Sequence, residues 1–320
     1  MIVVAGEALI DLVPQPAADG RAGESGGGAG GGVGGVPGGP LPSLPPLLPR
    51  LGGGPYNTAV ALGRLGTPTA FCSRVSTDGF GAALLDGLRS ARVGTSLVQR
   101  GPEPTTLAVP SVGSDGSARY GFYTQGTADR LFELPPQLPP SARALALGTC
   151  SLVLEPGASA YEALLRREAD RGVFTLLDPN IRPRLIPDAG AYRARFAGWL
   201  PYLSLLKLSE EDARWLGGVP SGPAAVVLTR GSDGLSVRTR AGVEVSVPAA
   251  PVDVVDTIGA GDTVNAALLH QLGAYGVLSE EAVDALDAGQ WREILGFAAR
   301  AAAVTCSRTG AEPPYEAEVV

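Results

Sequence analysis

In 320 residues the chain has one histidine, one lysine, one methionine, three cysteines and three asparagines. Each scarcity excludes a chemistry. A Ser-His-Asp triad or a Cys-His pair would have to be built on His270 alone, and a zinc site of several histidines cannot be built. Cys72, Cys150 and Cys306 stand far apart among apolar residues, which argues against a disulfide framework or a thiolate metal cluster and reads as buried free thiols. No apolar run reaches the roughly 18 residues of a membrane span. The start, MIVVAGEALIDLV, lacks the basic residues and cleavage site of a signal peptide, so the expectation is a cytoplasmic protein with no membrane partner. A net charge of -7, with no basic stripe interleaved with aromatics, opposes nucleic-acid binding. Scarcity also points inward. The composition favours Ala, Gly, Pro and Arg, and a Lys207, Asn57, Asn180 or Asn265 retained against that background hints that its side chain matters.

At 45% apolar and 18% charged, the chain can bury a core as one large α/β domain or two smaller ones. Its organising stretch is Pro251 to Leu272, PVDVVDTIGAGDTVNAALLHQL. An apolar strand is expected to end in Asp256 and Thr257, pass through Gly259, Ala260 and Gly261, and turn into an amphipathic helix with Asp262 in its first turn. Small residues let a ligand approach the backbone there, and three successive N–H groups at a helix start form an anion site. A carboxylate beside an anion site is unfavourable unless it acts on what attacks the anion, for instance by taking a proton from a hydroxyl. Two readings of Asp262 stand at this point: a base, or a helix cap.

From the start, IVVA (2–5) reads as a buried strand followed by Gly6, Glu7 and Asp11, polar groups where an open α/β sheet faces its ligand crevice. Asp11 is then either a ligand for substrate hydroxyls or a loop carboxylate. A Gly-rich and then Pro/Leu-rich tract, 15–50, reads as a flexible surface insertion. Its formal GxGxxG at Gly26, Gly28 and Gly31 is accidental, since no strand leads in and no helix follows. GGGPYNTAVALGRLG (52–66) is a turn and a helix with Asn57 in its first turn and Ala59, Leu62 and Leu65 on its apolar face. A strand at 69–74 and a helix at 80–91, joined by STDGFG, continue a βαβ pattern. From Thr95 to Phe132, TSLVQR, TTLAVPSV, the Ser114-Asp115-Gly116 turn and ARYGFYTQ read as antiparallel hairpins, which with 12–51 make a small β lid. Beyond them strand and helix alternate: 144–149, 173–183 ending in Asp178, Asn180 and Arg182, 203–218 with a Ser209 cap, 224–237 with a Gly-rich turn, and a helix near 291–304. Four strands thus carry polar residues at their C-terminal ends, which points to one crevice.

With these stretches in hand the chain resembles the ribokinase-like (PfkB) carbohydrate kinases, and among them the fructokinase-like members. GEALID, GGGPYN, STDGFG, GFYTQGTADR, DPNIRP, KLSEED, VVLTRGSDG and VVDTIGAGD stand in that family's order over nearly the whole chain. The resemblance implies a three-layer α/β/α core with a mostly parallel central sheet and a small β-sheet lid, a single kinase domain over 1–320. It implies Asp262 as catalytic base, with Gly259, Ala260 and Gly261 as the anion hole. Asp11, Gly53, Gly54 and Asn57 match positions that hold sugar hydroxyls, and Arg182 either reaches the substrate or pairs with Asp178. Thr229, Gly231 and Gly234 match the nucleotide turn. Glu210 matches the acidic residue of an Asn-x-x-Glu element linked to magnesium and phosphate, and Lys207 stands at its Asn position, which implies a nucleotide-binding role near phosphate. Asp256 and Thr257 resemble a loop that binds a monovalent cation, potassium, in some relatives. Without the resemblance, Glu210 reads as a solvated carboxylate and Lys207 as a surface cation at a strand end.

The implied activity is transfer of the γ-phosphoryl group of ATP, with Mg2+, to a hydroxymethyl group of a small sugar, fructose first. Alternatives are a 2-keto-3-deoxygluconate kinase, for which Arg182 could serve the carboxylate, and a nucleoside kinase using Tyr120, Phe122 and Tyr123 as a platform. A sugar-binding regulator without catalysis is a reading of another class, and the intact GAGD with Asp262 opposes it. A dinucleotide oxidoreductase lacks a fingerprint joining first strand to first helix. Lid strands leave edges to cover, so the expected assembly is a homodimer.

Overall fold

The computed structural model describes residues 1–14, 46–112 and 118–319, with the backbone alone for Pro14 and for residues 110–112 and 118–120. Most of the Gly/Pro-rich tract, its GxGxxG, and the Ser114-Asp115-Gly116 turn lie outside the described residues.

Strands β1 (Ile2–Ala5) and β2 (Leu9–Pro14) open the chain, and β3 (Leu47–Gly52) runs into α1 (Gly54–Arg64). β4 (Thr69–Ser76), α2 (Gly79–Ser90) and β5 (Gly94–Gly101) follow, then the hairpin β6 (Leu107–Val112) and β7 (Ala118–Tyr123). Strand and helix then alternate through β8 (Ala144–Gly148), α3 (Gly157–Asp170), β9 (Phe174–Asp178), α4 (Ala189–Ala197), β10 (Leu205–Ser209), α5 (Glu210–Leu216) and β11 (Ala225–Thr229). A hairpin of β12 (Leu235–Thr239) and β13 (Glu244–Val247) precedes α6 (Ala260–Ala274), α7 (Glu280–Asp284) and α8 (Ala288–Cys306).

Nine strands form one sheet in the order β13-β12-β11-β10-β9-β8-β1-β4-β5, parallel except for the β11–β12 and β12–β13 pairings. Its central strands β1, β8 and β9 are buried on both faces, as a parallel sheet between helix layers requires. The side-chain period of two sorts them: Ile2 and Val4 of β1 join one apolar cluster, with Leu62, Leu84, Leu268 and Trp291 from α1, α2, α6 and α8, while Val3 and Ala5 join another, with Leu164 of α3 and Phe196 of α4. The α/β/α layering implied by the resemblance is thus present. Helix starts are encoded locally. Ser209 and Asp212 form a capping box at α5, and Gly217, in the left-handed region, ends that helix.

A second sheet has the order β3-β2-β6-β7, built from 9–14, 47–52 and the 107–123 hairpin. Two expectations need correction. TSLVQR is no part of this sheet: as β5 it pairs in parallel with β4 at the edge of the large one. Its half-exposed, alternating pattern is that of any edge strand, and local sequence does not name the partner. The segment before the catalytic corner, expected as an apolar strand, joins no sheet, and Val254 and Val255 are exposed. Instead the N–H groups of Val255 and Asp256 both donate to the Cys306 carbonyl at the end of α8.

In the large sheet, chain order runs outward from β1 through β4 to β5 on one side and from β8 onward on the other. The switch point lies between β1 and β8, where open α/β sheets place their ligand crevice beyond the strands' carboxyl ends. Glu7 follows β1 and Thr149 follows β8, and both line a cavity of about 630 Å³.

Candidate active site

Helix α6 starts on the floor of this cavity. Gly259, its N-cap, has φ +79, and a Cβ there would meet that of Ala311 at 2.6 Å, so the corner requires glycine on two counts. Ala260 N–H turns back to the Thr257 carbonyl at 3.3 Å, which removes one of the three expected anion donors, and Ala260 does not line the cavity. Gly259, Gly261 and Asp262 do line it, and among the described residues the N–H groups of Gly261 and Asp262 have no acceptor. The Asp262 side chain does not cap the helix. Its Oδ2 accepts from Asn57 Nδ2 at 2.8 Å, across from the first turn of α1. Burial pushes its pKa up to about 7; the Asn57 hydrogen bond, Lys207 and Arg182 pull down, and Asp178 pushes up. A carboxylate of that basicity facing a cavity suits proton abstraction near neutral pH.

Lys207 is no surface cation. It is 4% exposed on β10, and its Nζ donates to Asp178 Oδ2 at 2.8 Å. Burial opposes its charge, but Asp178, then Asp262 and Asp212, overcome that and raise its pKa above the ordinary lysine value. A Cβ added to Gly261 would lie 2.9 Å from this Nζ, so the ammonium stands beside the free N–H groups of the corner. Two backbone donors and a buried ammonium make a site for a phosphoryl group.

The opposite wall belongs to the sugar-site candidates. Asp11 reaches in from β2, and burial lifts its pKa to about 6 against the pull of Arg182. Gly53, Gly54, Asn57 and Arg182 line the same cavity. A Cβ on Gly54 would stand 2.7 Å from Thr149 Oγ1 and 3.2 Å from Asp262 Oδ1, so this glycine keeps α1 close to the base. Arg182 does not pair with Asp178, which Lys207 occupies; its Nη1 donates to Asn180 Oδ1 at 2.7 Å. Asp212, the α5 capping residue, holds this turn by accepting from Ile181 N–H at 2.8 Å.

Sequence reasoning assigned no site role to Thr149, Cys150 or Arg184, and only general ones to Glu7, Asn180 and Phe122; all six line the cavity. Thr149 and Asn180 have positive φ without being glycine, at 59° and 37°, a backbone choice that costs about 1–3 kcal/mol and gathers at functional sites. Buried Glu7 braces the Thr149 turn by accepting from Ser151 N–H at 3.0 Å, and burial raises its pKa. Asn57, Asn180 and Asn265 all fall at or behind this cavity, so the scarcity of asparagine was a usable signal.

Of the nucleotide candidates, Lys207 lines this cavity and the others lie apart from it. Glu210, Thr229, Gly231, Gly234 and Asp256 do not line the cavity, whereas Thr257 does. Glu210 is half exposed, with Oε1 3.2 Å from Arg230 Nε. Gly234 has a structural reason to be glycine, because a Cβ there would come within 2.1 Å of the Val247 carbonyl oxygen. Asp256 Oδ1 accepts from Ile258 N–H and Oδ2 from Gly310 N–H, tying two loops beside the corner.

A family model described as pfkB family carbohydrate kinase matches residues 49–318. The chain belongs to that family. Among curated proteins of the family, a fructokinase from Rhizobium leguminosarum bv. trifolii is 37% identical over 300 residues, covering 90% of this chain and 84% of its own. A fructokinase from Xylella fastidiosa, solved with bound ATP, superposes with a TM-score of 0.82 at 26% identity, covering 99% of this chain and 96% of that one. A fructokinase double mutant from Vibrio cholerae, solved with fructose, ADP and potassium ion bound, has a TM-score of 0.74 at 23% identity over 97% and 93% of the two chains. Among the described residues no helix is long and apolar enough to cross a membrane.

Proposed function

We propose that the protein is an ATP-dependent fructokinase. The observation that carries the reading is the corner itself: a carboxylate with a pKa of about 7, two unclaimed N–H groups and a buried ammonium on one cavity floor. In this scheme Asp11, Asn57 and the Gly53–Gly54 turn orient the sugar, Asp262 takes the proton of a hydroxymethyl group, and its oxygen forms a bond to the γ-phosphorus. The bond from that phosphorus to the β–γ bridging oxygen breaks and ADP leaves. Lys207 and the N–H groups of Gly261 and Asp262 meet the charge of the transferring group. Thr229, Gly231 and Gly234 are assigned to the nucleotide. The second sheet, as a lid, excludes water that would otherwise take the phosphoryl group.

Magnesium suits these residues as an ion carried by the nucleotide. It binds mainly through phosphates and water, needing one or two carboxylates. Glu210, half exposed and held by one arginine contact, would hold it through water. When bound it supplies positive charge to the β- and γ-oxygens. Potassium is assigned to the Asp256–Thr257 turn, whose oxygen donors suit a hard cation. A homodimer is the proposed assembly: β3 and β7 are sheet edges, and Leu47 and Leu51 on the first and Tyr123 on the second are exposed. The cytoplasm, where ATP is available, is the proposed location.

One observation favours a second reading. Arg182 and Arg184 both line the cavity, and two guanidiniums suit a sugar acid such as 2-keto-3-deoxygluconate. Coupled ADP release with ATP and magnesium over fructose, ribose, 2-keto-3-deoxygluconate, adenosine and no sugar tests both. Turnover greatest with fructose supports the first reading, turnover with the sugar acid alone the second, and silence with every acceptor overturns both.

A further inference from the structure

We infer that Asp178 and Asn265 are positioning residues for phosphoryl transfer: together they hold the Lys207 ammonium at the catalytic corner without touching either substrate. The inference rests on the sugar-kinase reading above and assigns a task to two residues which that reading leaves idle.

Three elements meet at Asp178. The register pairing Leu206 with Leu177 brings Lys207 of β10 opposite Asp178 at the end of β9, and Nζ donates to Oδ2 at 2.8 Å. Asn265 stands three residues after Asp262, on the same side of α6, and its Nδ2 donates to the same Oδ2 at 2.7 Å. The helix that presents the base therefore also clamps the carboxylate that holds the ammonium. A lysine is a strongly hydrated charge on a flexible stem. Buried and unclamped, it would lose its charge or swing into the cavity.

The placement is not that of an ordinary buried ion pair. Both Asp178 and Asn265 are more than nine-tenths buried, neither lines the substrate cavity, and Asp178 Oδ1 and Asn265 Oδ1 have no hydrogen-bond partner among the described residues. Both residues instead line a small void behind Asp262, about 10 Å³, with Gly54, Thr58 and Thr149. A pair kept for stability alone would use both carboxylate oxygens. Here one oxygen takes both donors and the other has no partner among the described residues, so the carboxylate's charge is only partly compensated. That charge acts on Asp262 as well: Asp178 raises its pKa, while Lys207 and Arg182 lower it. Glu7, Asp11 and Arg184 are the other charged side chains lining the cavity.

The test uses the full chain with Asp178→Asn, Asn265→Leu and Lys207→Met. In Asp178→Asn, kcat should fall about 10- to 100-fold, as for other outer supports of an active site, with the KM for the sugar within about threefold. The acid limb of kcat/KM should move to lower pH in Asp178→Asn and to higher pH in Lys207→Met, a divergence that lost packing would not produce. Asn265→Leu, near in volume, should lower kcat and leave KM in place; it decides the matter if Asp178→Asn does not fold. A second readout needs no turnover. Because Lys207 is the sole lysine, 13C-lysine labelling gives one Cε resonance, whose titration should move to lower pH in Asp178→Asn. Wild-type kcat in folded Asp178→Asn or Asn265→Leu, a KM rise matching the kcat loss, or an unmoved lysine titration overturns the inference. Wild-type enzyme run alongside separates the two proposals, since its failure to phosphorylate any sugar overturns the function while the lysine titration still judges the clamp.

Discussion

Asn57 Nδ2 lies 2.8 Å from Asp262 Oδ2, linking the first turn of α1 to that of α6. The donor favours the charged carboxylate and pulls the Asp262 pKa down against burial. Replacing Asn57 by Leu should therefore raise that pKa above about 7. The acid limb of kcat/KM should shift upward, because more of the base is protonated at a given pH. A pH–rate profile of the folded variant reads this directly; a limb that stays in place would detach Asn57 from the base.

Asp262→Asn removes the proton acceptor and keeps the shape. Turnover should fall by about 10²- to 10⁴-fold, the range of a positioned general base. Calorimetry should find sugar and ATP binding within a few-fold of wild type. Retained turnover would take the role of base away from Asp262.

Gly261→Ala separates stability from activity. The added Cβ would come within 2.9 Å of Lys207 Nζ, so the ammonium must shift by a few tenths of an ångström within its pairing to Asp178. Alanine is also the better helix former by about 0.5–1 kcal/mol. The melting temperature should hold or rise while kcat drops at least tenfold, about 1.4 kcal/mol of lost transition-state stabilisation.

Asp78 fastens the second sheet to the large one. Its Oδ1 accepts from Gly81 N–H at the start of α2 and from Thr105 Oγ1, and its Oδ2 accepts from Thr105 N–H, just before β6. Partial burial works against the charge, but these donors win and lower its pKa below 3.8. The stabilisation is therefore complete above pH 3.8 and is lost as pH falls further, through the folded-state value. Asp78→Ala should cost about 1–3 kcal/mol in urea unfolding at neutral pH. The gap from wild type should narrow below pH 3.8.

Potassium should raise turnover several-fold over an equal concentration of tetramethylammonium, a cation too large for an oxygen-lined turn. Asp256→Ala should abolish that difference, and it should also loosen the 256–258 loop, because the Ile258 and Gly310 N–H groups lose their acceptor. Equal rates in the two salts would remove the cation from the assignment.

The sequence was most legible where one residue carries its own physical reason. The Ser209 cap, the βαβ alternation and the glycine corner each announce an element through local chemistry. Lys207 and the asparagines were conspicuous by rarity. Partners were less legible. TSLVQR reads equally as a hairpin strand or a sheet edge, and only pairing with β4 decides. The stretch before Asp256 has strand composition, yet its hydrogen bonds go to Cys306, some fifty residues later. Likewise Asp178 looked like a mate for nearby Arg182 until β10 laid Lys207 beside it.

Lysine is usually the commonest handle on a protein's exterior, and here the single copy is 4% exposed and ion-paired. Amine-directed crosslinkers, labels and acetylating reagents find no lysine on the outside of this fold. The rate at which such a reagent does reach Lys207 becomes a clock for how often the catalytic floor opens to solvent, readable by mass spectrometry at one residue with no engineered probe.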